Sequence, residues 1–251
     1  MRNLLRAVAL TAAVLLPGGL AAQKYQVRSI AWERIEVTAA LDSMPDSVAM
    51  GIVRPYKAVV DSMMAPALGL SRVAMTPGRP ESLLSNWAAD VLVEGSTATG
   101  LPRADMGLVN MGALRNSMPE GIVRMGDIML IAPFDNRLVV LEMRGRDVRT
   151  LMENIASRNG EGVSGSVRLA ITPEGKVASA TIGGKEIEDK RIYRIATLDY
   201  LAEGNDHMTA LRKAVRRHDL NLLVRDVMAE SVIKNRVIDS HIEGRITTQA
   251  Q

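Results

Sequence analysis

The stretch MGLVNMGALRNSMPEGIVRMGDIMLIAPFDNRLVVLEMRGRDVRTLMENIAS, residues 106–157, decides the fold class, because its periodicity changes without settling into a repeat. Residues 106–110 read as a strand, a turn follows, residues 126–131 form a short helical piece, and residues 137–143 form a second strand. From Arg146 the period becomes helical through Val148, Leu151, Met152 and Ile155, and Asn159-Gly160 supplies the stop. Downstream, residues 167–172 and 177–182 read as strands joined by the hairpin-length loop Pro173-Glu174-Gly175-Lys176. Residues 191–198 make a further strand, 206–215 and 222–237 read as helices, and a short strand lies near 242–247. Strands and helices mix without βαβ alternation, which predicts an α+β fold, one domain of mixed sheets flanked by helices.

Upstream, residues 68–75 read as a strand and 76–80 as a loop. Leu83, Leu84, Trp87, Ala88, Val91 and Leu92 then recur at helical spacing, with Gly95 where a helix stops. Asn86 and Asp90 share a face apart from much of this stripe, and a solvated face is expected for them. Residues 46–64 predict another helix, capped by Asp46 and interrupted or kinked at Pro55. Val48, Ile52, Tyr56, Val59, Val60 and Met63 lie on or near one side of it, a stripe that suits either core packing or docking to a partner. Between 23 and 45 there are strand-like pieces at 25–27 and 35–39 and no clean period.

Arg2 and Arg6, the apolar run 7–16 and the small residues Pro17-Gly18-Gly19-Leu20-Ala21-Ala22 follow the order of a cleaved export signal. The run is too short for a bilayer, which needs roughly 20 residues, and no later stretch is apolar enough to span one. The expected organisation is a signal peptide at 1–22, an extension with a helix at 23–64, and one domain at 65–251, in a chain that is exported to the periplasm or beyond. No cysteine is present, so neither a disulfide nor an N-terminal lipid is available and stability must come from the core. Removing Arg2 and Arg6 from the 31 basic residues leaves 29 against 28 acidic ones. That balance lacks the clustered excess that a nucleic-acid surface needs.

Metal chemistry finds few ligands here. A catalytic metal takes three or four, and two-metal sites need them in duplicate. The chain has three histidines, His207, His218 and His241, and the one Asp-x-His pair, Asp239-Ser240-His241, has no ligand motif after it. There is no P-loop, and residues 160–165 form neither a dinucleotide fingerprint nor a Gly-x-Ser-x-Gly elbow. His207 beside Asp206 lacks an identifiable nucleophile and orienting partner. No cofactor and no catalytic residue are expected in this chain.

Binding chemistry is better represented. In Asn110-Met111-Gly112-Ala113-Leu114-Arg115, at a predicted strand end, Gly112 permits a tight backbone and Arg115 suits a phosphate or carboxylate, or simply a surface ion pair. Phe134, the single phenylalanine, sits in the turn Pro133-Phe134-Asp135-Asn136. A ring there can anchor the loop or stack on a nucleobase whose edge the amide bonds. Tyr200 follows a strand and precedes Gly204-Asn205-Asp206. Its ring suits a core edge or a second stacking face, and Asp206 suits a helix cap or a pair of ribose hydroxyls.

Taken in order, the motifs resemble the C-terminal domain of the 5'-nucleotidases and UDP-sugar hydrolases. The series is Glu81 to Asp90, Asn110-x-Gly-x-x-Arg115, Gly121, Gly126-Asp127-Ile128, Pro133-Phe134-x-Asn136, Met143-x-Gly145, Val163-Ser164-Gly165, Ile182-Gly183-Gly184-Lys185, Tyr193-x-Ile195-Ala196, Gly204-x-Asp206 and Gly244-Arg245-Ile246. It runs from about Ala67 to Ile246. The resemblance implies that Phe134 and Tyr200 stack on a base, Asn136 bonds its edge, Gly165 lets backbone approach it, Asp206 holds ribose, and Arg115 contacts phosphate or sugar. Arg79, at altered spacing, and Asn110 are further candidates for substrate contact. Asn205 stands where the pattern has a second glycine, and Tyr200 where it has a phenylalanine.

In such proteins a metallophosphoesterase domain carries two divalent metals. The resemblance therefore implies a free-standing recognition domain that binds a nucleotide or nucleotide-sugar, partners a separate metallophosphoesterase in nucleotide catabolism, and is inactive alone. The alternative is an envelope binding or scaffold protein that keeps only the fold, since fold does not carry function.

Overall fold

A computed structural model describes residues 27–98 and 100–249. The expected signal peptide lies outside these residues. The chain divides into two units, Met1–Met50 and Gly51–Gln251. In the first, the described residues up to Thr38 form no strand, so the strand expected at 35–39 is absent, and Ala39–Ser43 makes a short 3-10 turn. Helix α1 is Ser47–Met64. Asp46 caps it as expected, its Oδ1 accepting from the backbone N–H groups of Val48 and Ala49 at 2.8 and 3.1 Å. Pro55 lies inside it.

The second unit continues with β1 (Ala67–Ser71), α2 (Leu83–Gly95), β2 (Met106–Val109), β3 (Gly121–Arg124), α3 (Met125–Ile131), β4 (Arg137–Arg144) and α4 (Gly145–Ala156). Then come β5 (Gly162–Val163), β6 (Val167–Ile171), β7 (Val177–Ile182), β8 (Lys185–Glu186), β9 (Ile192–Leu198), a single turn α5 (Asp199–Ala202), β10 (Arg216–Leu223), α6 (Val224–Asn235), β11 (Val237–Ile238) and β12 (Ile246–Thr248). The fold is α+β, with three mixed sheets ordered β11-β1-β3, β10-β4-β9-β2-β5 and β12-β6-β7-β8. Residues 209–213, expected to be α-helical, form a 3-10 turn.

In the five-stranded sheet β4 is antiparallel to β9, with Leu138 opposite Leu198, and β9 is parallel to β2. The start of β4 and the ends of β9 and β2 therefore emerge at the same end of the sheet. β4 is buried on both faces from Leu138 to Leu141, as a strand covered on two sides requires. Helix α4 lies against β4, β6, β7 and β9, and Val148, Leu151, Met152 and Ile155 are fully buried there. Burying each such side chain stabilises the fold by roughly 1.5–3 kcal/mol. Helix α2 lies on β2, where a Cβ on Gly107 would collide with the Ala89 carbonyl oxygen, so only glycine permits this approach.

The solvated face expected for Asn86 and Asp90 is corrected for Asn86, while the Asp90 side chain stays 42% exposed and is engaged in an ion pair. Asn86 is buried, donating from Nδ2 to Glu81 Oε1 at 2.6 Å and to the His241 carbonyl at 2.9 Å. Arg245, 4% exposed, donates to both Asp90 oxygens at 3.0 and 2.7 Å and to the backbone carbonyls of Asn86 and Val163. Burial works against its charge, but Asp90 and then Glu243 outweigh it and hold the guanidinium above its ordinary pKa. The chain's C-terminal segment returns over α2, which local periodicity does not reveal.

Core packing is not the role of the α1 stripe, for no residue of α1 is buried. Ile52, Tyr56, Val59 and Met63 are all exposed. A chain beginning at Met63 is therefore expected to unfold within about 4 °C of the intact protein, the shift that roughly 1 kcal/mol gives in a domain of this size. Thermal melts of the two chains check this; a larger drop would mean that α1 supports the core.

Candidate functional site

Three connections meet at the end of the sheet where β2 and β9 finish and β4 begins. Asn110 follows β2, Phe134 and Asn136 precede β4, and Tyr200 and Asp206 follow β9. Together with Gly112 and Ala113 these five side chains line one open cleft of about 220 Å³. Phe134 and Tyr200 are 46% and 42% exposed, which leaves both rings accessible to a ligand. Arg115, Gly165 and Arg79 are not among its lining residues.

The floor of the cleft is a hydrogen-bonded chain. Asp206 accepts from Asn110 Nδ2 at 2.6 Å on one oxygen and from the Tyr200 hydroxyl at 3.2 Å on the other. The Asp206 charge, followed by desolvation, raises the Tyr200 phenol above its ordinary pKa, so it stays protonated as a donor. Asp206 and His207 both have positive φ, 51° and 65°, a conformation that costs energy in residues other than glycine and tends to persist at ligand sites. Asn110 is buried, and its Oδ1 has no hydrogen-bond partner among the described residues.

Two carboxylates that sequence reasoning passed over hold the loops in place. Asp199 Oδ1 accepts from the backbone N–H of Arg137 at 3.0 Å and of Tyr200 at 2.8 Å, which ties the Phe134 turn to the Tyr200 turn. Glu161, whose side chain is fully buried, accepts from the Met111 backbone N–H, Arg79 and Arg158, each at 2.6 Å. It thereby fixes the loop that follows Asn110. The route to this arrangement is local: α4 ends in a Schellman turn, with Asn159 N–H on the Ala156 carbonyl and Gly160 N–H on that of Ile155. Gly160, at φ 98°, passes so close to the Pro80 backbone that a Cβ would clash. The run Asn159-Gly160-Glu161-Gly162 was the available signal, a carboxylate set between glycines at a helix end.

The remaining expected residues are placed elsewhere. Arg79 donates to Glu161 and to the Gly160 carbonyl, so its guanidinium is engaged in structure. Gly165 donates its N–H to Asp90 and lies against Arg245, which puts it at the α2 network and not at the cleft. Arg115 is exposed, its backbone N–H bonded to the Ile131 carbonyl, and its side chain has no ion pair among the described residues. Among the described residues no group of three or more His, Cys, Asp or Glu side chains is placed to hold a metal, and no helix is long and apolar enough to cross a membrane.

These features define a mixed α+β domain with an aromatic cleft where the central strands of its five-stranded sheet end. A family model, the 5'-nucleotidase C-terminal domain, matches residues 65–213, and this chain belongs to that family. It is 24% identical over 140 residues to protein UshA of Yersinia enterocolitica, covering 55% of this chain and 26% of that protein. A 5'-nucleotidase of Vibrio vulnificus is 27% identical over 140 residues, again 55% of this chain and 25% of its own length. The match thus spans about a quarter of the length of each of these two relatives. The crystal structure of a 5'-nucleotidase precursor from Thermus thermophilus superposes with a TM-score of 0.73 at 24% identity, covering 81% of this chain and 43% of that one. The expected fold and family both stand.

Proposed function

We propose that the cleft is a nucleotide-recognition site that takes the base and ribose of a nucleotide or nucleotide-sugar. The observation that carries this is the convergence of Phe134, Asn136, Tyr200 and Asp206, from connections up to 72 residues apart in sequence, on one cleft. The base lies against Phe134 and Tyr200, Asn136 bonds its edge, and Asp206 accepts from ribose hydroxyls. Arg115, exposed and without an ion pair among the described residues, serves the phosphate end.

Size supports recognition of part of a ligand. Complete small-molecule sites occupy roughly 300–1,000 Å³, and about 220 Å³ holds a base and the near side of its sugar. The phosphate then projects from the cleft toward a metallophosphoesterase domain, whose two divalent metals supply the chemistry, while this domain contributes position. Isothermal titration of the protein with adenosine and AMP tests the reading. Weak, saturable binding of both is expected, with no release of phosphate from AMP in the presence of Mg²⁺, Mn²⁺ or Zn²⁺. Absence of binding to either ligand would return the chain to the scaffold reading; metal-dependent hydrolysis by the pure chain would overturn the division of labour.

A further inference from the structure

An open depression of about 370 Å³, sharing no residue with the cleft, lies where the C-terminal segment passes α2 and α6. Its charge is one-sided: Asp90, Glu94, Asp239 and Glu243 line it against a single guanidinium, that of Arg245. Arg245 takes both oxygens of Asp90 and one of Glu243. Glu94 accepts from the Ser231 hydroxyl at 3.4 Å and Asp239 from the Ser240 backbone N–H at 2.9 Å, each on one oxygen. Glu94, Asp239 and Glu243 therefore each keep one oxygen with no hydrogen-bond donor among the described residues. The nitrogens of Arg72 and His241 stand 4.0 and 3.7 Å from that of Asp239. These carboxylates are not grouped closely enough to hold one metal ion; they suit several positive charges set apart along a chain.

Two further groups in the wall suit a peptide backbone. Trp87 is 6% exposed, and its indole N–H has no acceptor among the described residues. That N–H is not sealed in the core, for the one sealed side-chain atom without a partner among them is Asn110 Oδ1. The indole reaches the outside where it lines the depression. Val237 supplies the second group. β11 is an end strand of its sheet, and the carbonyls of Arg236 and Ile238 accept from the N–H groups of Leu70 and Arg72 at 2.8 and 3.0 Å. Strand alternation then turns the Val237 N–H and carbonyl away from β1, and Val237, itself exposed, lines the depression. An extended peptide can pair with such a free edge.

We infer that the depression docks a basic peptide segment of a partner protein, extended along the free edge of β11. Its lysine or arginine side chains meet Glu94, Asp239 and Glu243, and a backbone carbonyl accepts from the Trp87 N–H. Charge selects the partner, because the same lining repels nucleic acid and anionic lipid. The aliphatic stems of the basic side chains lie against Val91 and Ile238, which also line the depression. A small polyamine matches the carboxylates less completely, since it has no acceptor for the indole and no backbone to pair with Val237.

The test is calorimetric titration of the full chain at low salt with an acetylated, amidated Lys-Val-Lys-Val-Lys peptide, its Glu-Val-Glu-Val-Glu counterpart and spermidine. The lysine peptide is expected to bind about tenfold more tightly than either, with the gain shrinking as salt rises. It should also slow amide hydrogen exchange at Val237. Glu94→Gln combined with Asp239→Asn keeps the acceptors for Ser231 and Ser240 and removes two charges, so it should weaken the lysine peptide about fivefold and leave the thermal melt unchanged. Trp87→Phe should weaken the peptide and leave spermidine unaffected. Equal binding of the glutamate peptide, or no binding of the lysine peptide, would overturn the site. Spermidine binding as tightly as the lysine peptide would mark a site for small cations and overturn the peptide reading, as would unchanged exchange at Val237. Full affinity in the double variant would move the peptide away from this depression.

Discussion

Phe134→Ala and Tyr200→Ala are each expected to weaken adenosine binding by about 1–3 kcal/mol, roughly 5- to 150-fold, because a stacked aromatic ring contributes that much per base. Both rings stand about half exposed in the unliganded cleft, so truncating either costs the fold little. The loss should appear in calorimetry and not in thermal melts. Tyr200→Phe separates the two roles of the tyrosine: it keeps the ring and removes the 3.2 Å bond to Asp206, so it should lose less than alanine. Unchanged affinity in both alanine variants would move nucleoside binding away from this cleft.

What made the rings conspicuous in the sequence was their setting. A single phenylalanine in a Pro-Phe-Asp-Asn turn and a tyrosine before Gly-Asn-Asp are poorly placed for a core, and both prove exposed. Helices α2 and α4 were legible for the opposite reason, since their apolar spacing tracks a face that is buried. β10 was not. It runs Arg216, Arg217, His218, Asp219 before any apolar residue, because it is an edge strand held by backbone pairing with β4. An edge strand needs no alternating pattern and is often charged. β3 likewise lies at the edge of its sheet, with only Val123 buried.

Contacts distant in sequence were the other hidden layer. Asn110 and Asp206 are 96 residues apart, and Asp90 and Arg245 are 155 apart. Both pairs join polar residues that carry no periodic signal. Local sequence likewise gave no sign that Asp90 and Gly165 are hydrogen-bonded to each other at 2.9 Å. Only the fold states which of several chemically competent polar residues share a wall.

Glu161→Ala should have the largest effect on stability. Glu161 is buried completely and receives three donors, two of them cationic. Its removal leaves Arg79 and Arg158 without their counterion and the Met111 N–H without an acceptor. Breaking a buried ion pair from one side typically costs about 3–5 kcal/mol. Here the arginine side chains are 31% and 28% exposed, and water can solvate them in part, which favours the lower end, about 3 kcal/mol. At roughly 2–4 °C per kcal/mol, the melting temperature should fall by about 6–12 °C. Glu161→Gln keeps an acceptor for Met111 and removes only the charge, so it should fall by less. Because the Met111 bond holds the loop bearing Asn110, adenosine affinity should drop in the alanine variant even at temperatures where it is fully folded. A variant that melts normally and binds normally would show that Asn110 and Asp206 are held without Glu161, and that the cluster beneath the cleft is incidental to it.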